Sequence, residues 1–195
     1  GGTAKTVTSY FLATALSRRG RTLLVDCDPQ GAALSWAESA EEGGGTVPFE
    51  VVGLAVKDVH RRVKGLAADY DHVVLDTPPL ELPIVRSALL AADTVIVAIP
   101  PTEIDLDRVM ATLELLAEVE PINDLTFRVL LTRVLGTTRD GRDARAEMEG
   151  MGLPVMRTEI PARVGYSRAF GEPVEDLGAY ADVADELLGA GERVR

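Results

Sequence analysis

At 195 residues the chain is long enough for one well-filled core, and a single domain is expected over 1–195. Hydrophobic residues make up 46% and charged residues 26%, an ordinary soluble balance, and the apolar runs stop at strand length, too short to span a membrane. The net charge of −11 excludes a surface that is basic throughout, and Cys27, alone in the sequence, excludes an internal disulfide, which suits a reducing cytoplasm.

The first segment, Gly1-Gly2-Thr3-Ala4-Lys5-Thr6, reads as the back half of a phosphate-binding loop. Glycines let backbone approach phosphate closely, a lysine meets β/γ-phosphate charge, and the next hydroxyl can ligate Mg²⁺. Alone, the segment also reads as a glycine-rich terminus before an ordinary helix. Val7 to Leu16 then has helical spacing, stopped by Arg18, Arg19 and Gly20. Thr22 to Val25 is a short apolar strand that ends in Asp26-Cys27-Asp28-Pro29-Gln30-Gly31. Two carboxylates at a strand's carboxyl edge can contact Mg²⁺ or orient a water; equally, such an Asp can cap the next helix.

Ala32 to Ala40 is the next helix, Gly43-Gly44-Gly45 a loop, Phe49 to Val52 an edge strand, and Lys57 to Ala68 an amphipathic helix. His72 to Leu75 is a strand ending at Asp76, before Thr77-Pro78-Pro79; an apolar strand ending in Asp is the usual way to place a carboxylate near a P-loop metal. Leu82 to Ala91 is helical, and Thr94 to Ile99 is a strand stopped by Pro100-Pro101. Leu106 to Val119 is the longest helix and Phe127 to Leu131 a strand. Arg139 to Glu149 is helical, Val155-Met156 a short strand, and Asp176 to Leu188 a terminal helix. The βα rhythm and the nearly continuous apolar strands predict an α/β fold: a doubly wound, mostly parallel sheet with helices on both faces. Ligands of such sheets bind at the carboxyl ends of the strands, where Asp26, Asp76 and Pro100-Pro101 fall.

Three segments in this order resemble the deviant Walker ATPases of the ParA/MinD type: Gly-Gly-x-x-Lys-Thr, Asp-x-Asp-Pro-Gln-Gly, and strand-Asp-x-Pro-Pro. The likeness is greatest to small, ParF-like ParA proteins that partition plasmids or chromosomes. Trp36, Ala92 to Val97 with Pro100, Leu131-Thr132-Arg133, Ile160-Pro161, Ala169 and Gly171 to Val174 extend it over nearly the whole chain. The resemblance implies an ATPase using ATP and Mg²⁺. Gly1, Gly2, Thr3, Ala4, Lys5 and Thr6 would hold phosphate, with Lys5 on the β/γ-phosphates, Thr6 on Mg²⁺ and Val7 beside the α-phosphate. Asp28 matches the carboxylate that orients the attacking water, and Asp76 the one that reaches Mg²⁺ through water. Thr132, Arg133 and Pro161 match the adenine site. It also implies an ATP-bound homodimer that binds DNA non-specifically, weak hydrolysis stimulated by a centromere-binding ParB/ParG-type partner, and polymers in some members.

This sequence departs from the family pattern in two places. The signature lysine before the Gly-Gly pair and the strand feeding the loop have no counterpart here. Roughly ten further N-terminal residues, a strand of typical length plus a loop, are therefore expected in the natural protein. Ala4 stands where the family has glycine. The lone Cys27 disfavours branches that share a metal cluster, and is expected to be a buried filler. Arg157, Arg163 and Arg168 are candidate DNA contacts, whereas Lys57, His60, Arg61, Arg62 and Lys64 read as a solvated face. Acidic Asp182, Asp185 and Glu186 on the last helix oppose binding to anionic lipid. Three alternatives stay open at this point. One is a MinD-like spatial regulator and another a degenerate nucleotide-binding module. The third is a P-loop synthetase such as dethiobiotin synthetase, against which the Asp-Pro-Gln-Gly segment and Trp36 argue.

Overall fold

The computed structural model describes residues 3–79, 82–101, 106–119, 121–135 and 139–191. Strands and helices alternate as the apolar rhythm requires: α1 (Thr3–Ser17), β1 (Thr22–Asp26), α2 (Ala32–Glu42), β2 (Glu50–Gly53), α3 (Val59–Leu66), β3 (His72–Asp76) and α4 (Leu82–Leu89). They are followed by β4 (Thr94–Ile99), α5 (Leu106–Val119), β5 (Thr126–Leu131), α6 (Arg139–Gly150), α7 (Val164–Arg168) and α8 (Tyr180–Gly191).

Every described strand pairing is parallel, in the orders β2-β1-β3 and β4-β5. The expected sheet is thus divided in two. Among the described residues β3 and β4 are not joined by a ladder, and α1 packs against both. β1, in the middle of its sheet, is buried at all five positions, which explains its unbroken apolar run. Its register with β3 sets Asp26 directly beside Asp76 at the strands' carboxyl ends.

α1 is the central helix, with Tyr10, Phe11, Leu12, Ala13, Ala15 and Leu16 all buried. Its aromatic side meets residues far away in sequence. Tyr10 stacks on Trp36 with ring centroids 4.1 Å apart, and Phe11 meets Tyr166 edge-on and Tyr180 at a tilt. Such ring pairs add about 0.5–1.5 kcal/mol each beyond their area burial. The Thr8 hydroxyl and the Tyr180 hydroxyl, 3.1 Å apart, tie α1 to α8.

Three sequence expectations change. The last helix begins at Tyr180 rather than Asp176, because Gly178 turns the chain at φ 50° and the Asp176 carboxylate accepts its N–H. Val155 makes a single bridge to Val129 rather than a strand. The five-residue α7 was not anticipated; it holds too few residues for a helical period to show.

Candidate functional site

The predicted phosphate segment lies in the first turn of α1. Gly1 and Gly2 fall outside the described residues, Thr3 opens the helix, and Ala4, Thr6 and Val7 line a cavity of about 910 Å³. The first four N–H groups of a helix lack intrahelical partners and carry the positive end of its dipole, so this turn suits an anion. Lys5, half-buried between Ala4 and Thr6, sends charge toward Asp76.

Asp26 and Asp28 divide their work. Asp26 is buried, and its Oδ1 accepts the Asp28 N–H at 3.1 Å. Its Oδ2 accepts Ala33 N–H at 2.9 Å and Leu34 N–H at 3.0 Å, satisfying two orphan donors at the start of α2. Asp28 Oδ1 accepts the Gln30 N–H at 2.9 Å, and Gly31, at φ 63°, turns the chain into α2. The capping reading therefore falls to Asp26, while Asp28 stands on the cavity wall with Pro29 and Gln30. Cys27, between them, is buried, and its thiol is pushed up to about 12 by burial and then by Asp26 and Asp76; it is a filler, as expected.

Asp76 is the most perturbed carboxylate described. Burial raises it to about 6, with Asp26 adding to the rise, while the Thr6 and Ser9 hydroxyls and the Lys5 charge pull it down. Ser9 Oγ donates to Asp76 Oδ1 at 3.0 Å, whereas Asp76 Oδ2 is buried with no hydrogen-bond partner among the described residues. The Thr6 hydroxyl is close enough to favour ionisation without completing a bond to that oxygen. A buried, unpaired carboxylate oxygen is costly unless a cation or a cation-bound water meets it. The donor set of Thr6, Asp76 and Asp28 consists of hard oxygens, which fits Mg²⁺.

Thr132, Arg133 and Pro161 line the same cavity. Residues 160–162 run beside the exit of β5, with Ile160 N–H on Leu131 O, Val134 N–H on Ile160 O and a bridge between Val134 and Pro161. Arg133 holds φ 55°, a strained conformation for a residue with a side chain, and Thr132 Oγ1 is buried without a hydrogen-bond partner among the described residues. A buried hydroxyl beside a proline and a strained arginine, on the wall of a cavity of this size, is a setting for a polar-edged ring. The remaining wall is aromatic and was missed from sequence: Trp36, Tyr166, Phe170 and Tyr180.

Of the candidate arginines, Arg163 and Arg168 are exposed at the two ends of α7, and Arg163 lines the cavity. Arg157 is exposed as well, but it stands among acids: it pairs with Glu186 at 3.9 Å, near Glu159, Asp182 and Asp185. Glu186 is held below its ordinary range, against its own burial, by the N–H groups of Arg157 and Thr158 and the Thr158 hydroxyl.

The family model for the CobQ/CobB/MinD/ParA nucleotide-binding domain matches residues 1–174. The chain belongs to this family. It is a ParA/MinD-type nucleotide-binding ATPase, of a kind whose nucleotide is ATP with Mg²⁺. The maintenance of carboxysome distribution protein A of Halothiobacillus neapolitanus is 30% identical over 193 residues, covering 96% of this chain and 88% of that protein. The chromosome-partitioning ATPase Soj of Thermus thermophilus is also 30% identical, covering 96% of this chain and 92% of its own length. Cobyrinic acid a,c-diamide synthase of Mycobacterium smegmatis, solved with ADP and magnesium, shares the fold with a TM-score of 0.78 at 24% identity, covering 100% of this chain and 93% of that one. No described helix is long and apolar enough to cross a membrane.

Proposed function

We propose that the chain is a cargo-positioning ATPase of the partition type, which dimerises on ATP, binds DNA non-specifically in that state and is reset by hydrolysis. One observation carries this reading: the relatives that match most of the chain include both a chromosome-partitioning ATPase and a carboxysome-distribution protein. DNA, as plasmid or chromosome, is the cargo the motif resemblance favours. A body other than DNA is the second reading, supported by the carboxysome relatives at 30% and 34% identity. Either cargo would be joined through an adaptor that stimulates hydrolysis, of ParB/ParG type where the cargo is DNA.

In this reading Gly1 and Gly2, together with Thr3 and Ala4 at the start of α1, cradle phosphate and Lys5 neutralises the β/γ charge. Thr6 and Asp76 hold Mg²⁺, Asp76 through water, and the ion supplies charge neutralisation across the phosphates. Asp28, on its tethered loop, orients the attacking water. Val7 lies along the α-phosphate, and Thr132, Arg133 and Pro161 hold the adenine. Two buried oxygens without a hydrogen-bond partner among the described residues, Asp76 Oδ2 two residues before the cavity-lining Pro78 and Thr132 Oγ1 on the cavity wall, support a ligand that carries both a hydrated cation and a polar ring. Exposed Arg163 and Arg168 are the DNA contacts we favour over Arg157, whose acidic neighbours disfavour phosphate.

Co-sedimentation of the full protein with non-specific duplex DNA or with anionic vesicles, with and without ATP, tests the proposal. DNA binding that requires ATP is the expected result. ATP-dependent binding to vesicles alone would replace it with a MinD-like membrane cycle.

A further inference from the structure

We propose that Ser9 is a positioning residue for Asp76, holding one carboxylate oxygen so that the other is presented to the nucleotide-bound cation. The inference deepens the proposed function and rests on its assignment of Asp76 to Mg²⁺. Ser9 lies three residues after Thr6 on α1, so the two hydroxyls share one helix face and both approach β3. Ser9 Oγ donates to Asp76 Oδ1 at 3.0 Å. Asp76 Oδ2 is buried and has no hydrogen-bond partner among the described residues. A carboxylate turns through a broad, nearly two-fold torsion, so its oxygens are interchangeable unless something tells them apart. Here the Ser9 hydroxyl does so. It occupies Oδ1 and fixes the plane of the group while the neighbouring strand end is filled by Asp26, whose oxygens are already spent on Asp28, Ala33 and Leu34. Among the described residues, Asp76 Oδ2 is then the buried carboxylate oxygen at the ends of β1 and β3 that is left without a donor, a place a cation can take. Groups that orient a metal-holding residue from behind are worth about 10–100-fold in metal affinity or activity.

Calorimetric titration of the full protein with ADP, with and without Mg²⁺, tests this on the wild type and on Ser9→Ala, Ser9→Thr and Asp76→Asn. In the wild type Mg²⁺ tightens ADP binding, and Asp76→Asn removes most of that gain. Ser9→Ala is expected to lose about tenfold of the Mg²⁺-dependent part while leaving Mg²⁺-free ADP affinity and thermal midpoint unchanged. Ser9→Thr, which keeps the donor, stays close to wild type. A Ser9→Ala protein with the wild-type Mg²⁺ gain overturns the inference and leaves the Asp76 assignment standing. Equal weakening with and without Mg²⁺ also overturns it, in favour of a packing role. A wild type indifferent to Mg²⁺, or an Asp76→Asn protein that keeps the full gain, overturns the Asp76 assignment itself, and the inference with it.

Discussion

The two ends of the cavity are built on opposite principles. At the α1 end Thr6 and Asp28 line the cavity, and short polar side chains support them through hydrogen bonds, Ser9 to Asp76 and the Asp28 N–H to Asp26. At the other end Trp36, Tyr166, Phe170 and Tyr180 line the cavity, and Tyr10 and Phe11 of α1 pack against the rings from α2, α7 and α8. The first end invests in charge held out of water, which costs stability; the second invests in burial, which supplies it. Substitutions at the polar end should therefore weaken binding or turnover without loss of stability, and those among the rings should lower stability.

The largest expected effect is at Lys5. Lys5→Ala should abolish nucleotide binding in calorimetry while leaving the unfolding midpoint of the ligand-free protein near wild type. At the aromatic end, Trp36→Ala removes a fully buried indole stacked on Tyr10 and should cost about 3–5 kcal/mol in denaturant unfolding. A Trp36→Ala protein with unchanged stability would break the comparison outright. Asp28→Ala should keep nucleotide binding and lower steady-state ATP hydrolysis by about 10²–10³-fold.

The pH dependence of the ligand-free protein sharpens the contrast. Asp76 is raised from 3.8 to about 6, so between those values the folded chain keeps a proton that the unfolded chain has released. Its contribution to stability therefore falls as pH rises through that window and stays lost above it. Asp76→Asn should flatten this slope and leave the ligand-free protein more stable at pH 7, by on the order of 2 kcal/mol. An unchanged slope would show that Asp76 is not desolvated. The smallest effect is at the α1–α8 tie: Tyr180→Phe should cost about 1 kcal/mol through the lost Thr8 contact, with hydrolysis unchanged.

How much of this was legible follows the same division. Lys5, Thr6, Asp28 and Asp76 stand out as candidates in the sequence because phosphate and cation chemistry demands particular residue types where apolar strands stop and helices start. Strands β1, β3 and β4 ended within a residue of where their apolar runs did. Asp26 was read together with Asp28 as one motif, and only the hydrogen bonds show that it supports the loop rather than facing the cavity. Ser9 carried no signal, since a serine one turn into a helix is unremarkable until its partner from β3 is known. The aromatic lining is not legible in the sequence, because Trp36, Tyr166, Phe170 and Tyr180 meet through packing, which leaves no period along the chain.

Trp36 is the only tryptophan in the chain, and it sits on α2, the helix that leaves the Asp28 loop. Its indole N–H donates to the Glu172 carbonyl at 2.9 Å, and Phe170 lies 5.3 Å away between ring centroids. The protein thus carries its own optical gauge. Any shift of the Asp28 loop that moves α2 against the 170–172 segment must alter the polarity around one emitting ring. The intrinsic emission maximum and its quenching can follow the nucleotide cycle without a label, reporting on a single known position.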